Sequence, residues 1–259
     1  MRHDPRVLGF IDRNNPNSGF IIILALLLLT NISRGLPDRS PELIVAFLAS
    51  FVIATAIHEF CHAWFAQLLG DRTAYNLGRV TLNPLVHFEP FGFIGMVMIS
   101  LGFSMIGWGK PVPVNPNAFD SSRLRGPRGM AIVAIAGPIS NLIQAAVVAI
   151  PLRLSGSEFS LSGTNLESFG WVFVWVNILL AAFNMIPIPP LDGSKVLLGL
   201  VPRFWYPILA PIERYGFLIL MVLFFIGGDI GSSITSAMID PPRDLFSRWI
   251  IGFWRYGVA

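Results

Sequence analysis

Charge and cysteine are what this 259-residue chain has least of. Lys, Arg, Asp and Glu together make up 13% of it, about half the roughly 25% of an ordinary soluble domain. So few charges cannot cover a water-exposed surface, which excludes a soluble enzyme, a disordered chain and a nucleic-acid binder. One cysteine, Cys61, excludes a disulfide framework and a cysteine-based zinc cluster. No internal duplication of the transporter kind is visible either. What is present is apolar: 54% of residues are hydrophobic and the mean hydropathy is +0.65. The expected fold is an all-α polytopic membrane protein whose single domain takes up residues 1–259. Its net charge of +3 resides largely in arginines flanking apolar runs, which anchor and orient a chain in a bilayer.

The apolar runs suggest about five or six transmembrane helices. Residues 1–19 are polar and precede Phe20–Leu29, which reads as an uncleaved first span because no small-residue cleavage site follows it. Leu43 to Leu69 is long enough to cross and stops at Gly70-Asp71. Residues 71–90 are Pro- and Gly-punctuated, an irregular or stranded segment. Phe91–Gly109 is apolar but holds Gly92, Gly95, Gly102, Gly107 and Gly109. That spacing weakens a lone helix, so a re-entrant segment or β-hairpin is at least as well supported as a further span. Gly129–Leu154 and Trp171 to about Pro187 are further spans, and a last one lies around Tyr215–Gly228. The tail, 229–259, carries Trp249, Trp254 and Tyr256 and suits an interfacial helix. A core of about 43–200 is thus followed by a C-terminal span and tail, 201–259.

Polar residues inside the second run carry the chemistry. Ionisable side chains in a membrane span are costly and point to function. His58 and His62 stand one helical turn apart, so both imidazoles can face one ion. Glu59 lies beside that face, placed as a base toward water rather than as a ligand. The alternative is a pair of histidines bonded to each other or to backbone. Hydrolytic zinc takes three protein ligands and keeps one open position. Asp192, in Asn184-Met-Ile-Pro187-Ile-Pro189-Pro190-Leu-Asp192-Gly193, is the candidate third ligand. The prolines ahead of it break the helix, and its other reading is an ordinary helix cap.

The ordered set of motifs closely resembles the site-2 proteases, intramembrane zinc metallopeptidases. It comprises His58-Glu59-Phe-Cys-His62, Gly78 to Pro90, Gly107 to Pro116, Ala136-Gly137-Pro138-Ile-Ser140-Asn141, and Asn184 to Gly193, spanning roughly 43–200. The match is to a compact branch without PDZ-like or CBS-like segments, and Ser194 stands where a second glycine is common. The resemblance implies one Zn2+ on His58, His62 and Asp192, with Glu59 as catalytic base. It also implies a transmembrane protein or peptide as substrate, within a lipid bilayer. Five further residues are candidate substrate contacts: His87, which with Glu89 could instead bind a second metal, Gly137, Pro138, Asn141 and Asn184. Asn141 and its neighbours read equally as a small-residue helix-packing motif.

His58 and His62 lie toward the end of one span and Asp192 toward the end of another, so the two spans must run in the same direction. Segments 1–19 and 70–128 carry nine Lys and Arg, whereas the opposing loops carry Arg34 and Arg39 only. The positive-inside rule then sets the site nearer the cytoplasmic face of a bacterial-type membrane. The extended segments around 78–90 and 91–116 are expected to pair with an unwound substrate. A transporter or channel using the buried His and Asp is the other functional class, and an inactive zinc-stabilised scaffold a third. Oligomeric state is not encoded.

Overall fold

The computed structural model describes residues 39–103, 106–120, 124–201, 216 and 228–250. The expected spans at Phe20–Leu29 and around Tyr215–Gly228, and the tail residues Trp254 and Tyr256, lie outside the described residues. All regular structure among the described residues is helical. That corrects two expectations, the β-hairpin alternative for 91–109 and the stranded reading of 71–90.

Three helices are long and apolar enough to cross a membrane: α1 (Pro41–Leu68), α4 (Pro127–Leu154) and α5 (Leu166–Asn184). Their ends follow local chemistry. α1 starts at Ser40, whose hydroxyl accepts from Leu43 N at 3.3 Å, with Pro41 in the first turn. α5 opens on a capping box between Asn165 and Ser168. α4 runs through Pro138 and Pro151, and in a bundle the freed carbonyls are satisfied by neighbouring groups.

Side-chain contacts give the helix directions. His58 meets Asn141 and His62 meets Val133, so α1 and α4 are antiparallel. Phe47, Phe51 and Ala54 of α1 pack with Val172 and Val176 of α5. Gly163, before α5, lies against Leu43 at the start of α1. At the other end of α1, Asp120 N donates to Leu69 O at 2.9 Å. The 110–120 segment and the 155–165 loop therefore sit at opposite ends of α1, as the expected parallel course of α1 and α5 requires.

Between α1 and α4 the chain makes a short α2 (Thr73–Asn76), a 3-10 turn (Pro84–His87) and then α3 (Pro90–Ser100). After α3 an irregular segment returns along it. The return is close because the facing positions are glycines: a Cβ on Gly95 would stand 2.0 Å from Ile106 O, and one on Gly92 2.0 Å from Trp108 O. Entry and exit of this hairpin are bonded to each other, Lys110 N to His87 O at 2.8 Å. Its far tip is held by Arg39, whose Nη1 donates to Ile99 O at 3.2 Å and Ser100 O at 3.3 Å.

Two buried charged side chains tie the polar segment together. Asp71 accepts from Thr73 N at 2.9 Å and from Asn115 N at 2.7 Å. Arg79 donates to the carbonyls of Val86, Lys110 and Pro111. Arg79 is 6% exposed, so one of the basic residues counted for orientation is an internal clamp. Past α5 the chain breaks at 185–191, and α6 (Asp192–Leu200) follows. Asp192 thus opens a new helix instead of closing the span before it. α7 (Gly228–Ile250) is helical through Pro241 and Pro242, and Phe246 and Ile250 pack near Trp171 and Trp175.

Gly95→Val tests the hairpin. The added side chain must push apart two backbones already in contact, and overpacking of this kind costs about 1–3 kcal/mol. Thermal unfolding in detergent should show the loss, while Ile94→Ala on the outward face should change little. An unshifted Gly95→Val would mean the return segment does not lie against α3.

Candidate metal centre

α1 supplies the first two donors. Its helical course stacks His58 over His62, with ring centroids 4.6 Å apart. The Asp192 carboxylate reaches them because α5 ends at Asn184 and the break at 185–191 turns the chain back. His58 Nε2 and His62 Nε2 each lie 3.1 Å from Asp192 Oδ2, and 3.0 Å from each other. All three side chains are buried, at 5%, 7% and 6% exposure. They form the only group of potential metal donors of three or more among the described residues.

The donor chemistry fits a cation. His62 Nδ1 lies 2.8 Å from Val133 O, and a carbonyl can only accept. Nδ1 therefore carries the proton and Nε2 presents a lone pair. That lone pair and a carboxylate oxygen point at one spot. The other carboxylate oxygen, Oδ1, is engaged by Lys195 Nζ at 3.3 Å, which leaves Oδ2 to face the histidines. Two imidazoles and one carboxylate are the donor types of a hydrolytic zinc site.

Glu59 is not in this group. Its Oε2 accepts from Val112 N at 3.2 Å, which ties it to the return segment after the hairpin. Both lie in a cavity of about 270 Å³ also bordered by His58, His62, Trp108, Asn184, Asp192 and Lys195. The cavity is walled by α1, the return segment, the start of α4 and the break after α5. A carboxylate beside the donors, with one oxygen not held by Val112, is the arrangement a general base requires.

The remaining candidates fall in several places. Gly137 lies under the imidazoles, where a Cβ would stand 2.4 Å from His62 Nε2 and 2.6 Å from His58 Nε2. Pro138, beside it, is fully buried. Asn141 lies behind His58, with Oδ1 2.6 Å from His58 Nδ1, and does not border the cavity. Asn184 does border it, and its Nδ2 donates to Leu180 O at 3.0 Å. His87 and Glu89 are apart from the three donors. His87 Nε2 bonds to Thr81 O at 2.9 Å, and the Glu89 side chain caps α3. Those two line a second, apolar cavity of about 210 Å³.

Lys195 and Asn177 were not anticipated as site residues. Lys195 has a local signal, since it follows Asp192 by three residues in a helix and can turn back onto it. Asn177, a buried polar residue inside a long apolar run, accepts from Asn141 Nδ2 at 2.8 Å and so stands one residue behind His58.

Gly137→Ala follows from this geometry. A methyl group cannot share the space of two imidazole nitrogens, so the donors must spread. Metal content after purification should fall by about 10-fold or more, with the bundle still folded. Native metal content in this variant would show that α4 does not press against the donors.

Comparison with known proteins agrees with the site. Residues 155–227 match the family model described as Peptidase family M50. The chain is 36% identical to "Putative zinc metalloprotease YwhC" of Bacillus subtilis, over 79% of this chain and 88% of that protein. It is 28% identical to "Putative zinc metalloprotease Rip2" of Mycolicibacterium smegmatis, over 69% of this chain and 66% of the relative. No solved structure matches it. A donor triad between apolar helices and these relatives point the same way: the chain belongs to Peptidase family M50, the site-2 protease family.

Proposed function

We propose that the chain is a zinc-dependent intramembrane endopeptidase in which His58, His62 and Asp192 hold one Zn2+ and Glu59 is the catalytic base. The observation that carries this reading is the meeting of two Nε2 atoms and Asp192 Oδ2 within 3.1 Å, with Glu59 in the same cavity. Transport through the site, or a silent scaffold, would leave Glu59 beside the donors without a task. The whole chain, 1–259, serves as one catalytic unit in this reading.

When bound, zinc supplies Lewis acidity toward water and toward the scissile carbonyl. The rest is the work of side chains. Lys195 holds Asp192 Oδ1, so the carboxylate would offer the ion its other oxygen, Oδ2. Glu59 takes the proton of the attacking water and delivers it to the leaving amine. Val112 N–H fixes Glu59 Oε2 and thereby aims the other oxygen. A substrate helix hides its carbonyls in i→i−4 bonds, so it must unwind near the cut. The irregular 106–115 segment then offers backbone for it to pair with.

The hairpin at 90–112 is re-entrant in this scheme. It leaves and returns at one place beside His87, and its return at 106–112 borders the cavity, where a bilayer tolerates irregular backbone. The 110–120 segment then faces the cytoplasm and the 155–165 loop the outside, with the metal nearer the cytoplasmic face. The substrates are membrane proteins cut in or near their transmembrane segments.

One panel of variants tests the chemistry. His58→Ala, His62→Ala and Asp192→Ala should each lose zinc and activity. Glu59→Gln should keep its zinc while cleavage falls by about 10²–10⁴-fold, the range for losing a general acid–base group. Full activity in Glu59→Gln would remove Glu59 as the base. Zinc retained in Asp192→Ala would remove Asp192 from the ligands.

Orientation has its own test. In a Cys61→Ser background, a cysteine at Asn117 should be shielded from impermeant thiol reagents in intact cells. A cysteine at Thr164 should react. Labelling of both from outside would mean that the hairpin crosses the membrane.

A further inference from the structure

A chain of three hydrogen bonds made by side-chain amides, two of them buried, leads away from the donors into the bundle. Asn177 Nδ2 lies 3.0 Å from Phe173 O, Asn141 Nδ2 lies 2.8 Å from Asn177 Oδ1, and Asn141 Oδ1 lies 2.6 Å from His58 Nδ1. Asn141 and Asn177 are both fully buried. An amide side chain has a donor end and an acceptor end that are alike in shape. Its orientation is therefore set by what it meets. Here the far end of the chain is a backbone carbonyl, which only accepts.

The direction follows from that end. Phe173 O requires the Asn177 amide to donate, which turns Asn177 Oδ1 toward Asn141. Oδ1 accepts, so the Asn141 amide donates to it, with Ala54 O a second acceptor at 3.5 Å. Asn141 Oδ1 is then left facing His58 and can only accept. The His58 proton must sit on Nδ1, and its Nε2 is bare toward His62 and Asp192. We infer that Asn177 is a positioning residue: through Asn141 it fixes the tautomer of His58 in which Nε2 is free to hold the metal. His62 needs no such relay because Val133 O is already a backbone acceptor.

The alternative arrangement shows what the relay prevents. Without Asn177, only the 3.5 Å contact with Ala54 O would orient Asn141. A turned Asn141 would donate to His58 Nδ1 and place the proton on Nε2. That Nε2–H would bond to Asp192 Oδ2, 3.1 Å away, and the two groups would satisfy each other in place of the ion. Outer partners of metal-bound histidines usually contribute about 10–100-fold in metal affinity.

This inference rests on the zinc reading above, and its test separates the two. Zinc affinity of the full-length, zinc-loaded protein in detergent is measured by competition with a chromogenic chelator, in the native chain, Asn177→Leu and Asn177→Asp. Asn177→Leu, similar in size without polar ends, should bind zinc about 10–100-fold more weakly. Asn177→Asp should stay within about threefold of native. A buried carboxylic acid in its neutral form accepts from Asn141 and donates to Phe173 O, which preserves the direction of the chain. Native affinity in Asn177→Leu, or equal weakening in both variants, overturns the inference. If Asn177→Leu does not fold, nitrogen NMR of the native chain after zinc removal decides. A proton on His58 Nδ1 upholds the relay and one on Nε2 overturns it. A native chain that binds no zinc at all, or binds it unchanged in His62→Ala, would instead defeat the metalloprotease reading.

Discussion

Three potential metal donors held within 3.1 Å of one another in an apolar bundle are the constraint on which the rest of the structure depends. Burying polar groups is costly unless each is bonded, and polar groups in a membrane are more exacting still. The protein meets that cost through α4. One face of this helix presents Val133 O to His62 and Asn141 to His58, with Gly137 between them leaving room for the rings. The antiparallel run of α1 and α4 is what lets residues eight apart on α4 serve histidines four apart on α1. If either helix slid by a turn, both outer hydrogen bonds would be lost together.

The carboxylate arrives by a different device. α5 carries the chain alongside α1 and ends at Asn184, and the proline-rich break brings Asp192 back over the histidines at the start of α6. A continuous helix would have carried Asp192 about 12 Å beyond Asn184 at 1.5 Å per residue. Ending the helix early is therefore part of making the site. Irregular backbone at this depth is tolerated where it lines a cavity, and the break does line it. The return segment at 106–114 does the same on the opposite wall. There its backbone supplies the N–H that holds Glu59. Arg79 and Asp71 hold this wall from behind, by bonds to carbonyls and to Asn115 N.

Much of this was legible in the amino-acid order. Long apolar runs with few charges read as α1, α4 and α5. The i, i+4 histidines with an adjacent glutamate read as one face of a helix, since helical periodicity is local. Asp192 stood out because prolines and an aspartate end an apolar run. The glycines of 91–109 mark a segment other than a lone helix, and of the forms expected for it only the β-hairpin is overturned. They let a helix lie against its own return segment where strand pairing was also expected, since a run of apolar residues does not distinguish the two.

What only the tertiary structure decided is which groups meet across long stretches of chain. Arg79 reads as a surface cation by its type, yet it is an internal clamp because three carbonyls from two segments converge on it. Asn141 reads as a substrate contact or a packing residue, and its place behind a histidine comes from contacts with two other helices. Glu89, a possible ligand by its chemistry, caps the helix it precedes. His87 stands apart from the metal donors because its turn is bonded to the exit of the hairpin. Residue type and spacing along one helix determine what a side chain can do. Which partner it does it with depends on contacts between residues far apart in the chain, such as His58 with Asn141 and Asp192, and no local pattern contains them.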